Sequence, residues 1–240
     1  MRYAVLGDIH GNIHALEAVL EAIKKDAVDS ILCIGDLVGY GANPKECIQS
    51  VREHVRCVVA GNHDFAVAGK LDASCFNPEA RIAVNWTRER LSEEEKTYLA
   101  ELSLTDAFDG VSLVHSTPYH PEDFFYVQTL LDAALAFSSM ETKLAFVGHS
   151  HVPVVFVNSK PVDFFLRAEF DVPDSAEMIV NVGSVGQPRD LDPRACYAML
   201  DTDQRMVFMR RVEYDVRAAA EAILAGGLPV GNANRLVIGC

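Results

Sequence analysis

Short apolar segments recur along the first two thirds of the chain, and each one runs directly into glycine, aspartate, asparagine or histidine. Five of these segments stand out: Tyr3–Leu6, Ile31–Ile34, Cys57–Ala60, Val111–Val114 and Leu144–Val147. Apolar runs of about four residues are typical of strands that are buried on both faces of a sheet. Because ligands gather beyond the carboxyl ends of strands in open α/β sheets, we expect the polar residues that follow these segments to meet in one place.

Helical patterns fill the intervals between the apolar segments. Apolar residues share one helix face between residues 13 and 23, and the segment from 65 to 104 is mostly helical in pattern. Beyond residue 151 strand patterns dominate, with a hairpin of Cys196–Leu200 and Met206–Val212 before a closing helix near Val216–Leu224. This order predicts an α/β sandwich with a partly antiparallel second sheet, in a single domain that spans residues 1–240.

The charge balance bears on the partners of the protein. The chain has 21 Lys and Arg against 34 Asp and Glu, a net charge of −13, which disfavours a binder of polymeric nucleic acid. No apolar run approaches the roughly 18 residues of a membrane helix, and the apolar start is too short for a signal peptide, so we expect no membrane contact. The six cysteines form no Cys-x-x-Cys pair, which predicts reduced thiols and a cytoplasmic location.

Histidine is concentrated where the predicted strands end. The chain has eight histidines, and five of them follow a strand-like segment within a few residues. One such histidine could belong to an ordinary loop, but five together indicate a shared site. The potential ligands at these ends are Asp8, His10, Asp36, Asn62, His115, His149 and His151. Imidazole, carboxylate and amide groups without thiolate favour Mn, Fe, Co, Ni or Zn, and seven ligands favour two ions that share a bridging carboxylate.

The motifs that carry these residues resemble those of the calcineurin-like metallophosphoesterase family. In order along the chain they are Gly7–Asn12, Gly35-Asp36, Gly61–Asp64, His115 and Gly148–His151. The segment Asn181–Arg189 is similar to the tail motif of the family's bacterial branch of small phosphodiesterases and diadenosine tetraphosphatase-like proteins. Any single motif would be weak evidence, whereas the five in this order are highly specific.

The resemblance implies a four-layer αββα sandwich of two mixed sheets, with two divalent transition-metal ions beyond the strand ends. We expect Mn first, with Fe, Ni, Co or Zn as alternatives. The resemblance implies one ion held by Asp8, His10, Asp36 and His151, and a second ion held by Asp36, Asn62, His115 and His149. It places His63 beside the pair, oriented by Asp64, as the candidate proton donor to the leaving oxygen. We expect Asn62 and His63 to continue an extended segment, so that His63 points away from the ions when Asn62 points at them. The attacking group would be a hydroxide that bridges the two ions, in line with the leaving group.

Substrate contacts are less well defined by the sequence. Arg189 is predicted to hold a phosphate oxygen, although a surface arginine needs no such function. Asn12 either contacts substrate or caps its helix, and Tyr40 is a candidate for stacking on a base. His14 and His120 lie near the predicted ligands and could contact substrate, but an exposed position without a function is the preferred interpretation of both.

Three functions are compatible with this pattern. Hydrolysis of small phosphodiesters or nucleotides is preferred. A serine/threonine phosphoprotein phosphatase ranks second, because such relatives follow the second motif with an arginine, and none stands in Leu37–Gly41. A non-catalytic scaffold ranks third, since such members lose ligands and this chain retains all seven. The native metal, the physiological substrate and the oligomeric state stay open at this point.

Overall fold

The first predicted strand lies near the middle of a six-stranded sheet in the computed structural model, which describes residues 1–240. The strands are β1 (Arg2–Leu6), β2 (Ser30–Cys33), β3 (Cys57–Val58), β4 (Thr105–Phe108), β5 (Val111–Val114), β6 (Leu144–Val147), β7 (Val154–Val157), β8 (Asp163–Phe165), β9 (Glu169–Asp171), β10 (Met178–Asn181), β11 (Ala195–Asp201) and β12 (Met206–Val212). The helices are α1 (Ile13–Lys25), α2 (Pro44–His54), α3 (Asn62–Ala68), α4 (Pro78–Arg90), α5 (Glu93–Glu101), α6 (Leu130–Phe137), α7 (Val216–Ala225) and α8 (Val230–Ile238).

Both sheets are mixed. The first has the order β3-β2-β1-β11-β12-β9, in which β1, β2 and β3 are parallel and the remaining pairs are antiparallel. The second has the order β4-β5-β6-β10-β7-β8, in which β5, β6 and β10 are parallel. Since β1 pairs with β11, the beginning and the last third of the chain share one sheet.

The two sheets pack face to face, and helices cover their outer faces. Val5 of β1 and Ile34, directly after β2, belong to the same buried cluster as Phe146 and Val180 of the second sheet. The opposite face of the first sheet packs against α1 and α2, whereas α6 covers the second sheet. The four-layer αββα sandwich is thereby confirmed. No helix of the chain has the length and apolarity needed to cross a bilayer.

The predicted strands agree closely with those of the structure. The backbone geometry directly after the third predicted strand differs from the prediction. The runs Val111–Val114 and Leu144–Val147 are β5 and β6 to the residue, and the predicted hairpin is β11–β12. We expected Asn62 and His63 to continue an extended segment. They instead form the first turn of α3, so that prediction was wrong. Strand β3 is only two residues long, which leaves the chain free to turn into a helix directly after Gly61.

Glycine at position 35 is required by the close approach of two backbones. Gly35 has φ +92°, and a Cβ atom there would lie 2.4 Å from the Gly61 nitrogen. Its carbonyl accepts a hydrogen bond of 3.0 Å from the Asp8 N–H, so it also joins the turns after β1 and β2. Gly110 has a similar φ of +80°, but no atom lies within 4 Å of a Cβ built there.

We predict that Gly35→Ala destabilises the protein far more than Gly110→Ala. The left-handed backbone costs an alanine about 1–2 kcal/mol at either position. At Gly35 the backbone clash should raise the total to roughly 2–5 kcal/mol. Urea unfolding of both variants measures the difference. Equal losses of unfolding free energy would show that the close approach of residues 35 and 61 does not constrain the fold.

Candidate metal centre

The predicted ligands do meet at one edge of the two sheets. The turns after β1, β2, β5 and β6 and the start of α3 supply all of them. The seven side chains converge there although they are spread over more than 140 positions of the chain, and each is 9% exposed or less: Asp8, His10, Asp36, Asn62, His115, His149 and His151. The structure therefore brings together every residue that the motifs single out as a ligand.

The first group of ligand atoms surrounds His151. Its Nε2 lies 3.2 Å from Asp8 Oδ1 and 3.0 Å from His10 Nε2. His10 Nε2 lies in turn 3.5 Å from Asp36 Oδ2. These four side chains are the set that the family resemblance implies for one ion.

The second group surrounds His115. Its Nε2 lies 3.4 Å from Asp36 Oδ2, 3.3 Å from Asn62 Oδ1 and 3.2 Å from His149 Nδ1. Asp36 Oδ2 is thus common to both groups. A carboxylate in this position is the arrangement expected of a bridging ligand.

Backbone carbonyls fix which ring nitrogen faces the centre. His10 Nδ1 lies 3.1 Å from the Val38 carbonyl oxygen, and His115 Nδ1 lies 2.8 Å from that of Ile34. His151 Nδ1 lies 2.6 Å from a third carbonyl, that of Gln187. A carbonyl only accepts, so each Nδ1 donates, and each neutral ring turns its Nε2 lone pair inward. When all three rings are neutral, lone pairs and carboxylate oxygens face one another without a donor between them, which suits bound cations.

Burial and charge set the protonation states of these ligands. Burial holds the pKa of His10 and of His149 well below the ordinary histidine value, which favours the neutral, ligating form. Burial opposes ionisation of Asp36, but the nearby rings of His115 and His63 outweigh it and hold the pKa of Asp36 well below its usual range. Burial likewise opposes the charged form of His115, yet Asp36 raises the pKa of His115 to about 9. A cation that binds His115 must therefore displace a proton.

The turns that carry the ligands have strained backbones. Asp8, His10, Asp36, His149 and His151 all have φ between +52° and +65°, the left-handed region. For residues other than glycine this region costs about 1–2 kcal/mol each. Hydrogen bonds within the site compensate in part, since Asp8 accepts from the His149 N–H at 3.1 Å and Asp36 Oδ1 accepts from the His63 N–H at 2.8 Å. Such concentrated strain is typical of functional sites.

His63 lies beside the ligands, but Asp64 does not orient it. The Asp64 carboxylate accepts hydrogen bonds from the backbone N–H groups of Leu37 (2.9 Å), Val38 (3.3 Å) and Gly61 (3.0 Å). The expectation that Asp64 orients His63 was therefore wrong, because its carboxylate ties the turn after β2 to the start of α3.

Aromatic contacts hold the His63 ring instead. The ring centroids of His10, Tyr40 and Phe76 lie 4.9, 4.6 and 5.0 Å from that of His63. His63 Nδ1 is buried without a hydrogen-bond partner, and a Cβ at Gly39 would lie 2.3 Å from it. A ring nitrogen of His63 also lies within 4.8 Å of ligand atoms of His10 and Asp36, so this ring is within reach of the centre.

Two of the three predicted substrate contacts line a cavity above the centre, whose volume is about 490 Å³. Arg189 and Tyr40 belong to its wall, and the Arg189 guanidinium lies 5.5 Å from the Tyr40 ring centroid. Asn12 does not line the cavity. Its Oδ1 caps α1 by accepting from the Ala15 N–H at 3.1 Å, and its Nδ2 donates to the Gly186 carbonyl at 2.9 Å. The capping role thus replaces the predicted substrate contact of Asn12.

Sequence reasoning missed the aromatic residues of the cavity wall. Tyr126 stacks on the His149 ring at a centroid distance of 4.0 Å and an interplanar angle of 16°. Phe76 and Phe124 line the same cavity. The only signal was the run of aromatic residues from 124 to 126, which follows no periodic pattern and has no fixed spacing from the ligands.

Residues 1–205 match the model of the calcineurin-like phosphoesterase superfamily domain, and the chain belongs to this family. It is 38% identical to an uncharacterized protein of Methanocaldococcus jannaschii, with 98% of this chain and 97% of that protein covered. It is also 38% identical to a metallophosphoesterase from Sphaerobacter thermophilus, with a TM-score of 0.89 over 100% of this chain and 99% of the other. A symmetrical bis(5'-nucleosyl)-tetraphosphatase of Erwinia tasmaniensis is 29% identical over 44% of this chain and 45% of its own length.

We predict that Asp36→Asn lowers the content of both metal ions. Asparagine keeps the shape of the side chain but removes the charge that the two groups share, whereas His149→Ala removes a ligand from the second group only. Elemental analysis of the purified variants measures the ions per chain, with the exposed Asp203→Asn as a matched control. Two ions per chain in Asp36→Asn would contradict the shared role of this carboxylate.

Proposed function

We propose that this metallophosphoesterase hydrolyses small phosphodiesters or nucleotides with two divalent transition-metal ions, Mn first among them. The observation that carries the proposal is the position of Asp36 Oδ2, which lies within 3.5 Å of a ligand nitrogen in each group. Family membership supports hydrolysis of phosphoesters in general. The name of the Erwinia tasmaniensis relative, which covers less than half of this chain, supports a nucleotide.

The ions, when bound, would activate a water molecule and offset the charge of the reacting phosphate. The side chains of the protein would supply the other functions of the site. The two ligand groups would hold the ions next to the cavity, and Arg189 in the cavity wall would hold a phosphate oxygen. His63 is the proposed proton donor to the leaving oxygen, since it lines the cavity beside the ligands. Burial lowers the pKa of His63 to about 4 in the free protein, so this role requires a bound phosphate anion to raise that pKa.

The alternatives to a small phosphate ester have less support. A phosphoprotein phosphatase would need an arginine after the second motif, and this chain has none. Tyr40 lies in the cavity wall near that position. A non-catalytic scaffold does not need seven buried ligands that face one another. The net charge of −13 disfavours polymeric nucleic acid as substrate. The six cysteines are free thiols, which supports the proposed cytoplasmic location.

We predict metal-dependent hydrolysis of bis-p-nitrophenyl phosphate. The measurement is release of p-nitrophenolate with Mn, Co, Ni, Zn or Mg added in turn to protein whose metal has been removed and checked by elemental analysis. Activity should return with a transition metal and disappear in excess chelator. Full activity of the metal-free protein would contradict the proposal, and faster turnover of a phosphopeptide than of any diester would favour the phosphoprotein alternative.

We predict that His63→Ala separates leaving-group chemistry from metal binding. General acids contribute about 10²–10⁴-fold when the leaving oxygen is strongly basic. The variant should lose that factor on a nucleoside alkyl phosphodiester and less than about tenfold on a p-nitrophenyl ester, whose leaving group hardly needs a proton. The exposed His54→Ala is the matched control.

His149→Ala should instead lose metal and slow both substrates alike. Equal losses on the two esters in His63→Ala, with both ions present, would contradict the role of His63 as an acid. Loss of an ion in that variant would show that His63 is itself a ligand.

A further inference from the structure

The cavity above the metal centre has an aromatic wall. Its lining includes Tyr40, Phe76, Phe124 and Tyr126. Three of these rings contact the site directly, since Tyr40 and Phe76 lie 4.6 and 5.0 Å from His63 and Tyr126 is stacked on His149. Tyr126 is 46% exposed, so the stacking on His149 leaves part of its ring free for a second planar group. An aromatic group attached to the reacting phosphate therefore has a flat surface next to the centre.

Away from the candidate ligands, the charged side chains that line the cavity are mostly acidic. Asp72, Glu122 and Asp123 are exposed carboxylates in its lining, and Arg189 is the one cation among the lining residues. The Arg189 guanidinium lies beside Tyr40, whose ring contacts His10 at 4.7 Å, so this cation is one side chain away from the ligands. The Arg189 Nη2 donates to Gln187 Oε1 at 2.9 Å, whereas its Nε is buried without a hydrogen-bond partner. A guanidinium has five N–H donors, so Arg189 keeps donors for an anion in the cavity.

This distribution favours one phosphate and opposes several. A single phosphate at the centre meets the ions and Arg189. In a polyphosphate that leads out of the cavity, the further phosphates would approach the carboxylates of the lining. A like-charge contact at about 4 Å in a water-like medium costs roughly a fivefold factor in an equilibrium constant.

We propose that the cavity selects phosphodiesters with a single phosphate and an uncharged aromatic arm, and that Asp72, Glu122 and Asp123 discriminate against polyphosphate chains. The selection rests on the proposed function, because the reacting phosphate must lie at the metal centre. Tyr126 is the stacking surface for the arm. The substrate class is thus that of a nucleoside monophosphate diester rather than of a dinucleoside polyphosphate.

The test compares two substrates that carry the same bases. Adenylyl-(3',5')-adenosine has one phosphate and diadenosine tetraphosphate has four, and kcat/KM is measured for both with the Mn-loaded protein at low salt. We expect the wild-type protein to prefer the single phosphate by more than about tenfold. The triple variant Asp72→Asn/Glu122→Gln/Asp123→Asn should shift this ratio toward the tetraphosphate by roughly 100-fold, from three contacts of about fivefold each. Asparagine at position 72 preserves the local turn, since it accepts the same backbone hydrogen bond from Ser74.

A matched control separates the local charges from the net charge. Glu93→Gln/Glu94→Gln/Glu101→Gln on α5 removes the same three charges at positions that do not line the cavity, and it should leave the ratio as it is in the wild type. Tyr126→Ala should raise KM for the dinucleoside monophosphate by about 5- to 100-fold, and Tyr126→Phe should restore it.

The outcomes distinguish this inference from the function on which it rests. Preference of the wild-type protein for the tetraphosphate, or an equal shift of the ratio in both triple variants, would overturn the discrimination by charge while leaving the phosphodiesterase in place. An unchanged KM in Tyr126→Ala would overturn the proposal that the aromatic arm of the substrate stacks on Tyr126. Failure to hydrolyse either dinucleotide or bis-p-nitrophenyl phosphate with any metal would overturn the proposed function itself.

Discussion

One carboxylate oxygen joins the two halves of the site. Asp36 Oδ2 lies 3.5 Å from His10 Nε2 and 3.4 Å from His115 Nε2. The first ligand group comes from the turns after β1 and β6, and the second from the turns after β5 and β6 and the start of α3, so both depend on where β2 ends. Burying so many acceptors against one another is unfavourable without positive charge. The sandwich core holds them in place, because the strands that precede the ligands lie within its most buried part.

The turns show how closely the fold and the site are coupled. Several ligands have left-handed backbones, and their strain is offset by hydrogen bonds from neighbouring turns rather than by their own strands. Gly35 allows the turn after β2 to lie against the turn after β3, and Asp64 ties the same two turns together through the Leu37 and Gly61 N–H groups. Residues near the ligands that look catalytic by position can therefore be structural, as Asp64 and Asn12 are.

The sequence predicts the parts of this protein that have a period or a fixed spacing. Short apolar runs identify β5 and β6 to the residue, and the motifs single out the seven candidate ligands that the structure brings together. It does not predict the helical start at Asn62, since a two-residue strand carries no pattern that distinguishes a turn into helix from further extension. It predicts Tyr40 and Arg189 of the cavity wall but not Phe76 and Tyr126. These two reach the centre from long connections, whose path depends on the packing of the whole sandwich.

The proposed reaction needs two ions that share Asp36. Anomalous diffraction from crystals of the Mn-loaded protein tests it most directly, since manganese scatters anomalously and each ion gives its own peak. We expect two peaks about 3.5–4 Å apart, with Asp36 bonded to both. A single peak, or two peaks of which only one lies within bonding distance of Asp36, would contradict it.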